Sequence, residues 1–515
     1  MNSVERDSNL QHSLSKLSTV DSHWIEVDIE VSGLTPHRVA ETICERLSKA
    51  TADDSFTTKS SVNPEKALPQ RGFADIKGFK HVFIKDLLDG PPDRGIQILC
   101  WLKSRPRDLS AILFLPVCDS TGTIQVVVEK SKVSSWAEIR AWKAESSMII
   151  SGTVRASWRT CEIVAQEVAI VSRSNRLLHP EIRKLDRDLL APHNTDRLLA
   201  SRHLYLRNPL LVALNLYRSK FMFSIHQWFR DHRFVDFSAP LITPSLLYES
   251  KSAIHISNLK ANKALYLSQC AGFYLEAAAH AHERVYNLGP SFRNESRTNR
   301  HLMEYWHIKA ELCSGQMDDI IDLVEVFLRD LSEAMLASTK ELAELLGTTP
   351  PYIQIPFPRV SYRHAIEILK CQKLSLTFGQ NISKQGEELL TKHFCGPVWI
   401  THKPLGLEPF PYCVHPADDK LTMTADLISS GGFGEICGVA EKSFTREELE
   451  LRLKEKDKLH LLDIYGWVLE SRNFGMVPHT AFGMGFERVA RWFCGVPHVK
   501  DMIPFPRIFN RYPLP

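Results

Sequence analysis

Residues 285–311 read VYNLGPSFRNESRTNRHLMEYWHIKAE, and the reading of this stretch decides the fold. Two strand-like runs bracket twelve positions that hold Arg293, Glu295, Arg297, Arg300, His301 and Glu304. A charge run alone most often marks a solvated face. Two more segments set polar groups into apolar surroundings. Upstream, FVDFSAPLITPS at 234–245 reads as a strand with Pro240 in it, and a proline in a strand belongs at an edge or interface. Downstream, VPHTAFGMGFERVARWFCGVPHVKDMIPFPR at 477–507 places Gly483 and Gly485 just before a helix that carries Arg488. A lone GxG before a helix is weak, because tight packing explains it as often as a phosphate does.

Around these segments the chain reads as mixed α/β. Leu211, Leu214, Tyr217, Phe221, Ile225 and Phe229, spaced by three and four, predict a helix over 209–232. Ile321, Val324, Phe327 and Leu331 predict another over about 317–345. Both stripes are core faces. Between 95 and 175 the pattern changes to five short runs, GIQILCWL, AILFLPVCD, TIQVVVE, SSMIISGTVRA and EIVAQEVAIVS, with DSTGT as a turn. Five strands in so short a span suggest a small Greek-key barrel of the OB type, with another barrel or sandwich as the alternative. The resulting division is a disordered tail at 1–23, a small α/β segment at 24–50 and a polar linker at 51–72. A barrel domain follows at 73–175, a polar hinge at 176–208 and one large domain at 209–515.

The chain has 515 residues, with 63 Lys plus Arg against 60 Asp plus Glu, a formal charge of +3. That balance excludes a wholly basic nucleic-acid binder, though not a local patch. Basic residues outnumber acidic ones only slightly in the barrel window. An apolar fraction of 44% and a charged fraction of 24% describe a folded chain and exclude wholesale disorder. No run approaches the length of a membrane helix. The N-terminus lacks an apolar core and carries Glu5 and Asp7, against a presequence. Eleven scattered cysteines without a CxxC point to a reducing compartment, most simply the cytoplasm.

Taken together, the three segments resemble the three motifs of class II aminoacyl-tRNA synthetases, in the asparaginyl/aspartyl branch. SFRNESRTNRHLMEY is similar to motif 2, FGMGFER followed by KDMIPFPR to motif 3, and DLISSGGFGEICG at 426–438 to the metal and nucleotide strand between them. The resemblance covers about residues 95–515, with asparaginyl slightly ahead. It implies an α+β fold: a class II antiparallel sheet flanked by helices, preceded by an OB-type barrel. It also implies a homodimer through motif 1 around Pro240, and ATP and Mg²⁺ as cofactors. On that resemblance Arg293 is the catalytic arginine at the α-phosphate, and Arg300 and His301 hold the terminal phosphates. Tyr305 and Arg488 sandwich the adenine, Glu295 lies near it, and Gly483 and Gly485 admit the nucleotide. Asp426 and Glu435 are the Mg²⁺ ligands, with Glu435 also on the nucleotide.

The ATP half of that pattern is intact; the amino-acid half is not. The family's Ser-x-Gln falls on Cys270-Ala271-Gly272, so its glutamine is Gly272. The acid sixteen residues after the motif 2 arginine, which holds the substrate's ammonium or amide, is Lys309. The arginine that grips the substrate's far end is Lys442, a usual basic residue before Asp426 is Glu408, and a usual glycine is Val439. Glu249, Cys270, Gly272, Lys309, Glu408 and Lys442 are the expected substrate pocket. Either this pocket takes a different substrate, or Lys309 points away or pairs with Glu408. In the barrel, Asp119 and Gln125 keep the family pattern but its arginine is Cys118, which weakens the case for anticodon reading.

The expectation is an AMP-forming ligase that adenylates an amino acid or other carboxylate and passes the acyl group to an amine or hydroxyl. A divergent paralog in small-molecule biosynthesis is favoured, with tRNA as an uncertain partner. The alternatives are a working asparagine–tRNA ligase and a non-catalytic regulatory or tRNA-binding paralog.

Overall fold

The computed structural model describes residues 82–511 except 89, 91–94, 157–160, 179–181, 248–251, 258–263 and 296–297. The segments expected at 1–23, 24–50 and 51–72 lie outside the described residues. The chain divides into two compact units, 1–174 and 175–515.

In the first unit the apolar alternation becomes β1 (Gly95–Leu102), β2 (Ile112–Cys118), β3 (Thr123–Glu129), β4 (Ser147–Ala156) and β5 (Cys161–Ser172). They run in the order β1-β4-β5-β3-β2 and close through β1–β2, with β3 and β5 parallel and the other pairs antiparallel. This is the expected OB-type barrel. Its inward residues, such as Ile98, Leu115, Val126, Ile150 and Ile163, fill one core. Asp119 serves the β2–β3 turn, accepting from the backbone N–H of Thr121 and Gly122, and also accepts from Ile84 N at 2.7 Å.

The second unit is built on an eight-stranded sheet. Its strands are β6 (Val235–Asp236), β7 (Arg284–Phe292), β8 (Glu304–Cys313), β9 (Arg359–Ser361), β10 (Val398–Thr401), β11 (Thr424–Ser429), β12 (Gly434–Lys442) and β13 (His479–Gly485). The order is β9-β10-β11-β12-β13-β8-β7-β6. The six inner strands are antiparallel and each edge strand pairs parallel, so the sheet matches the expected class.

Helix α1 (Pro209–Asp231) starts where Asn208 accepts from Leu210 N with proline at the first helical position. Its stripe packs on the sheet, with Phe229 stacked on Tyr286 at 4.2 Å and Phe221 against Phe486. Helix α2 (Gly272–His282) follows. The single helix expected at 317–345 is two, α3 (Met317–Ala334) and α4 (Leu336–Leu346), because the turn breaks at Met335. The last helix, α5 (Phe486–Cys494), ends at Gly495 with φ +69.

Two local readings are corrected. FVDFSAPLITPS is not one strand: β6 stops at Asp236 and a separate strand holds Ile242–Thr243, with exposed Pro240 between them. The proline, lacking an N–H, sits where no ladder bond is required. The expected hinge is packed structure: Ile182, Leu189, Leu190, Leu198 and Tyr205 join the main core of the second unit. Its charged residues lie between these apolar ones, which is why the stretch read as polar.

Candidate active site

The sheet lays out a row of facing residues. In register across four strands stand Lys309, Gly483, Gly438 and Asp426. Two adjacent glycines leave a bare strip between a cation on β8 and a carboxylate on β11. This strip floors a cavity of about 350 Å³.

The cavity gathers Arg293, Glu295, Arg300, His301, Tyr305 and Arg488 with Asp426, Glu435, Gly483 and Gly485. The hairpin turn after β7 carries Arg293 beside Glu295 (3.5 Å) and 5.8 Å from the Tyr305 ring centroid. Arg300 pairs with Glu387 at 2.5 Å and lies over Gly434. At Gly434, φ is +81 and any Cβ would strike the guanidinium, so only glycine fits there. Arg488, on α5, donates to the main-chain carbonyls of Arg300 (3.2 Å) and Glu435 (3.0 Å). His301 Nε2 stands 3.3 Å from Glu295, and its Nδ1 is hydrogen-bonded to Thr298 Oγ1. Burial, then Arg488, lowers His301 to about 4, so the ring is neutral at pH 7.

Asp426 and Glu435 come from neighbouring strands and both open on the cavity. Two carboxylates facing the same space suit a hard divalent cation, so the donor set fits Mg²⁺. Lys403, which sequence reasoning missed, already holds one of them. Its Nζ lies 2.6 Å from Asp426 Oδ2 and 2.5 Å from Glu408 Oε1. Burial would lower Lys403, but Asp426 and Glu408 keep it charged, well above the usual lysine value. The signal available was a lysine at the end of the apolar run VWIT, directly before Pro404.

On the substrate side, Lys309 and Glu408 line the cavity. They do not pair with each other, because Glu408 is engaged by Lys403. Lys309 is 4% exposed, and no hydrogen bond or ion pair reaches its ammonium among the described residues. His307, also missed, lines the cavity two residues away; burial, then Lys309 and Arg293, drives it well below the usual histidine value.

Three expected pocket residues are displaced from the cavity wall. Lys442 lies four residues along β12 from Gly438, roughly 13 Å deeper. There it is fully buried with Glu276 (3.3 Å) and Glu311 (3.4 Å), beside Arg472 and His479. Burial would raise Glu276, but Lys442 and Arg472 hold it well below the usual carboxylate range. Cys270 and Gly272 sit behind the wall at the start of α2, where Gly272 abuts the Lys309 stem. Glu249 lies outside the described residues.

Residues 194–508, more than half the chain, match the family model of class II tRNA synthetases (D, K and N). The protein therefore belongs to the class II aminoacyl-tRNA synthetase family. Its fold is similar to asparaginyl-tRNA synthetase from Pyrococcus horikoshii complexed with asparaginyl-adenylate, at 27% identity and a TM-score of 0.73, covering 84% of this chain and 99% of that one. It also resembles the Entamoeba histolytica asparaginyl enzyme at 22% identity (TM-score 0.72; 84% of this chain and 99% of that one). A putative aspartyl-tRNA synthetase from Leishmania major Friedlin matches at 19% identity (TM-score 0.72; 88% and 97%).

Proposed function

We propose that this protein is an ATP-dependent, AMP-forming ligase that activates a carboxylic acid other than asparagine. It is a divergent paralog that makes an amide or ester on a small molecule. The observation that carries this reading is the contrast within one cavity. The groups expected on the nucleotide side converge in that cavity, whereas the acid side presents a Lys309 ammonium with no ion pair among the described residues.

In the first step a carboxylate oxygen attacks the α-phosphorus of ATP and pyrophosphate leaves. The carboxylate is already anionic, so no base is required; the barrier is lowered by fixed positive charge at the phosphorus. Arg293 supplies that charge in a rigid fork of donors. Arg300 and neutral His301 orient the leaving phosphates, and Tyr305 with Arg488 clasps the adenine. A bound Mg²⁺, held by Asp426 and Glu435, would neutralise phosphate charge. In the second step an amine or hydroxyl attacks the acyl carbon of the mixed anhydride and AMP leaves, with proximity contributing much of the rate.

Pyrophosphate exchange into ATP, measured with a panel of carboxylates, tests this reading; strong exchange with asparagine alone would sink the paralog. A second reading, an asparagine–tRNA ligase, is favoured by the OB-type barrel and would be established by charging of tRNA. A homodimer in the cytoplasm is the proposed setting.

A further inference from the structure

Five of the cations that line the cavity have partners. Arg293 meets Glu295, Arg300 meets Glu387, and Arg488 holds two carbonyls. Lys403 bridges Glu408 and Asp426, and Lys456 donates to the Gly406 carbonyl. Among the described residues Lys309 has no hydrogen bond or ion pair, although it is 4% exposed and its Nζ lies over the bare Gly483 floor, 3.7 Å from where a Cβ would stand. Glu311, two residues along β8, is taken by Lys442 at 3.4 Å, so the Lys309 ammonium faces the cavity without a direct partner among the described residues, a setting matched to a ligand that brings an anionic group.

The reacting carboxylate does not meet this need. Glu304, opposite Phe292 beside Arg293, and Lys309 lie five residues apart on β8, and Arg293 and Lys309 both act on His307, so a carboxylate at Arg293 leaves Lys309 to a second group of the same small ligand. Between the two lies His307, kept neutral by burial among them. Next to Lys309 the wall is apolar at Leu247, which touches the same Gly272 position, and at Ala440 and Ala481, which face each other one row on; the acid of that row, Glu311, is held by Lys442.

We infer that Lys309 is a specificity-determining residue that binds a second anionic group of the substrate, so that the activated acid is a dicarboxylic acid with an apolar spacer and no ammonium at that end. This deepens, and for catalysis rests on, the ligase reading above.

Two measurements on the full chain separate the claims. The first is pyrophosphate exchange with succinate, glutarate, adipate, propanoate and asparagine. The second is calorimetric binding of the same acids to protein loaded with a non-hydrolysable ATP analogue. The expected result is exchange with a dicarboxylate at a kcat/KM about 100-fold above that of propanoate. Lys309→Met should collapse that ratio to near one, and Lys309→Arg should restore part of it, each checked for an intact melt. Dicarboxylate binding without any exchange would remove the ligase reading and leave the inference standing. A preference for asparagine or propanoate in both measurements would overturn the inference and leave the ligase. Neither exchange nor binding with any acid would overturn both.

Discussion

The side chain of Lys309 occupies the space that a side chain on Gly272 would need: a Cβ at Gly272 would meet Lys309 Cε at 3.3 Å. Two departures from the family pattern, far apart in sequence, are thus one spatial exchange. The absence of a side chain at Gly272 on α2 leaves room for the Lys309 stem on β8.

Reversal should therefore require both positions. Gly272→Gln alone crowds the lysine stem and should lower the melting temperature by several degrees, the range of an overpacked core. Gly272→Gln with Lys309→Glu should recover that loss and raise pyrophosphate exchange with asparagine above wild type. A double variant no better folded than the single would show that the two sites are independent.

Lys442 lies between Glu276 and Glu311 with no exposure. Lys442→Met leaves two buried carboxylates under-compensated and should cost about 3–5 kcal/mol in urea unfolding, the range for a broken buried pair. A loss below ~1 kcal/mol would mean that Arg472 and His479 suffice.

Lys403 holds Asp426 at 2.6 Å, so a metal bound at that carboxylate would have to compete with it. Lys403→Met should tighten Mn²⁺ binding, read by electron paramagnetic resonance without turnover, by tenfold or more. Unchanged affinity would place the metal on Glu435 alone.

His301 and His307 are held neutral, one at about 4 and the other well below the usual histidine value. Their folded values lie below the unfolded one, near 6.5, so the unfolded chain binds more protons as pH falls. Stability should be unaffected by them above pH 7 and should decline from about 6.5 towards 4. His307→Gln should flatten that decline if the protein still folds; an unchanged slope would assign it to other groups.

Phe223 is 68% exposed and Leu216 58% exposed, both on α1, while Val235 and Ile242 are exposed on the strands that follow. So much apolar surface on one short run of chain fits a second copy of the protein. Phe223→Glu should shift sedimentation from dimer to monomer with little change in the melt of the monomer.

The barrel strands were legible almost to the residue, because a half-buried strand writes its alternation directly into the sequence. GIQILCWL and TIQVVVE became β1 and β3 without change. The residues expected on the nucleotide side do converge in one cavity, because most of them lie close together in the chain, on one hairpin and at the start of one helix. The acid side was read less well. Lys442 lies on the right strand but two rows too deep, a matter of register that alignment cannot supply. Lys403 was invisible as a partner because its acids, Glu408 and Asp426, converge on it only after β10 and β11 pair. The break at Met335 left no mark in an apolar stripe that continues through it.

Arg488 donates to main-chain carbonyls at Arg300 and Glu435, at 3.2 and 3.0 Å, and reaches the Glu435 side chain only at 3.9 Å. Every residue type offers the same carbonyl, so this tie survives substitution at either position. The Lys403 cluster is instead assembled from side chain against side chain, with Glu408 and Asp426, where each change alters a neighbour's environment. The Arg488 tie is thereby indifferent to which side chains stand at positions 300 and 435, whereas the Lys403 cluster depends on the identity of each of its members.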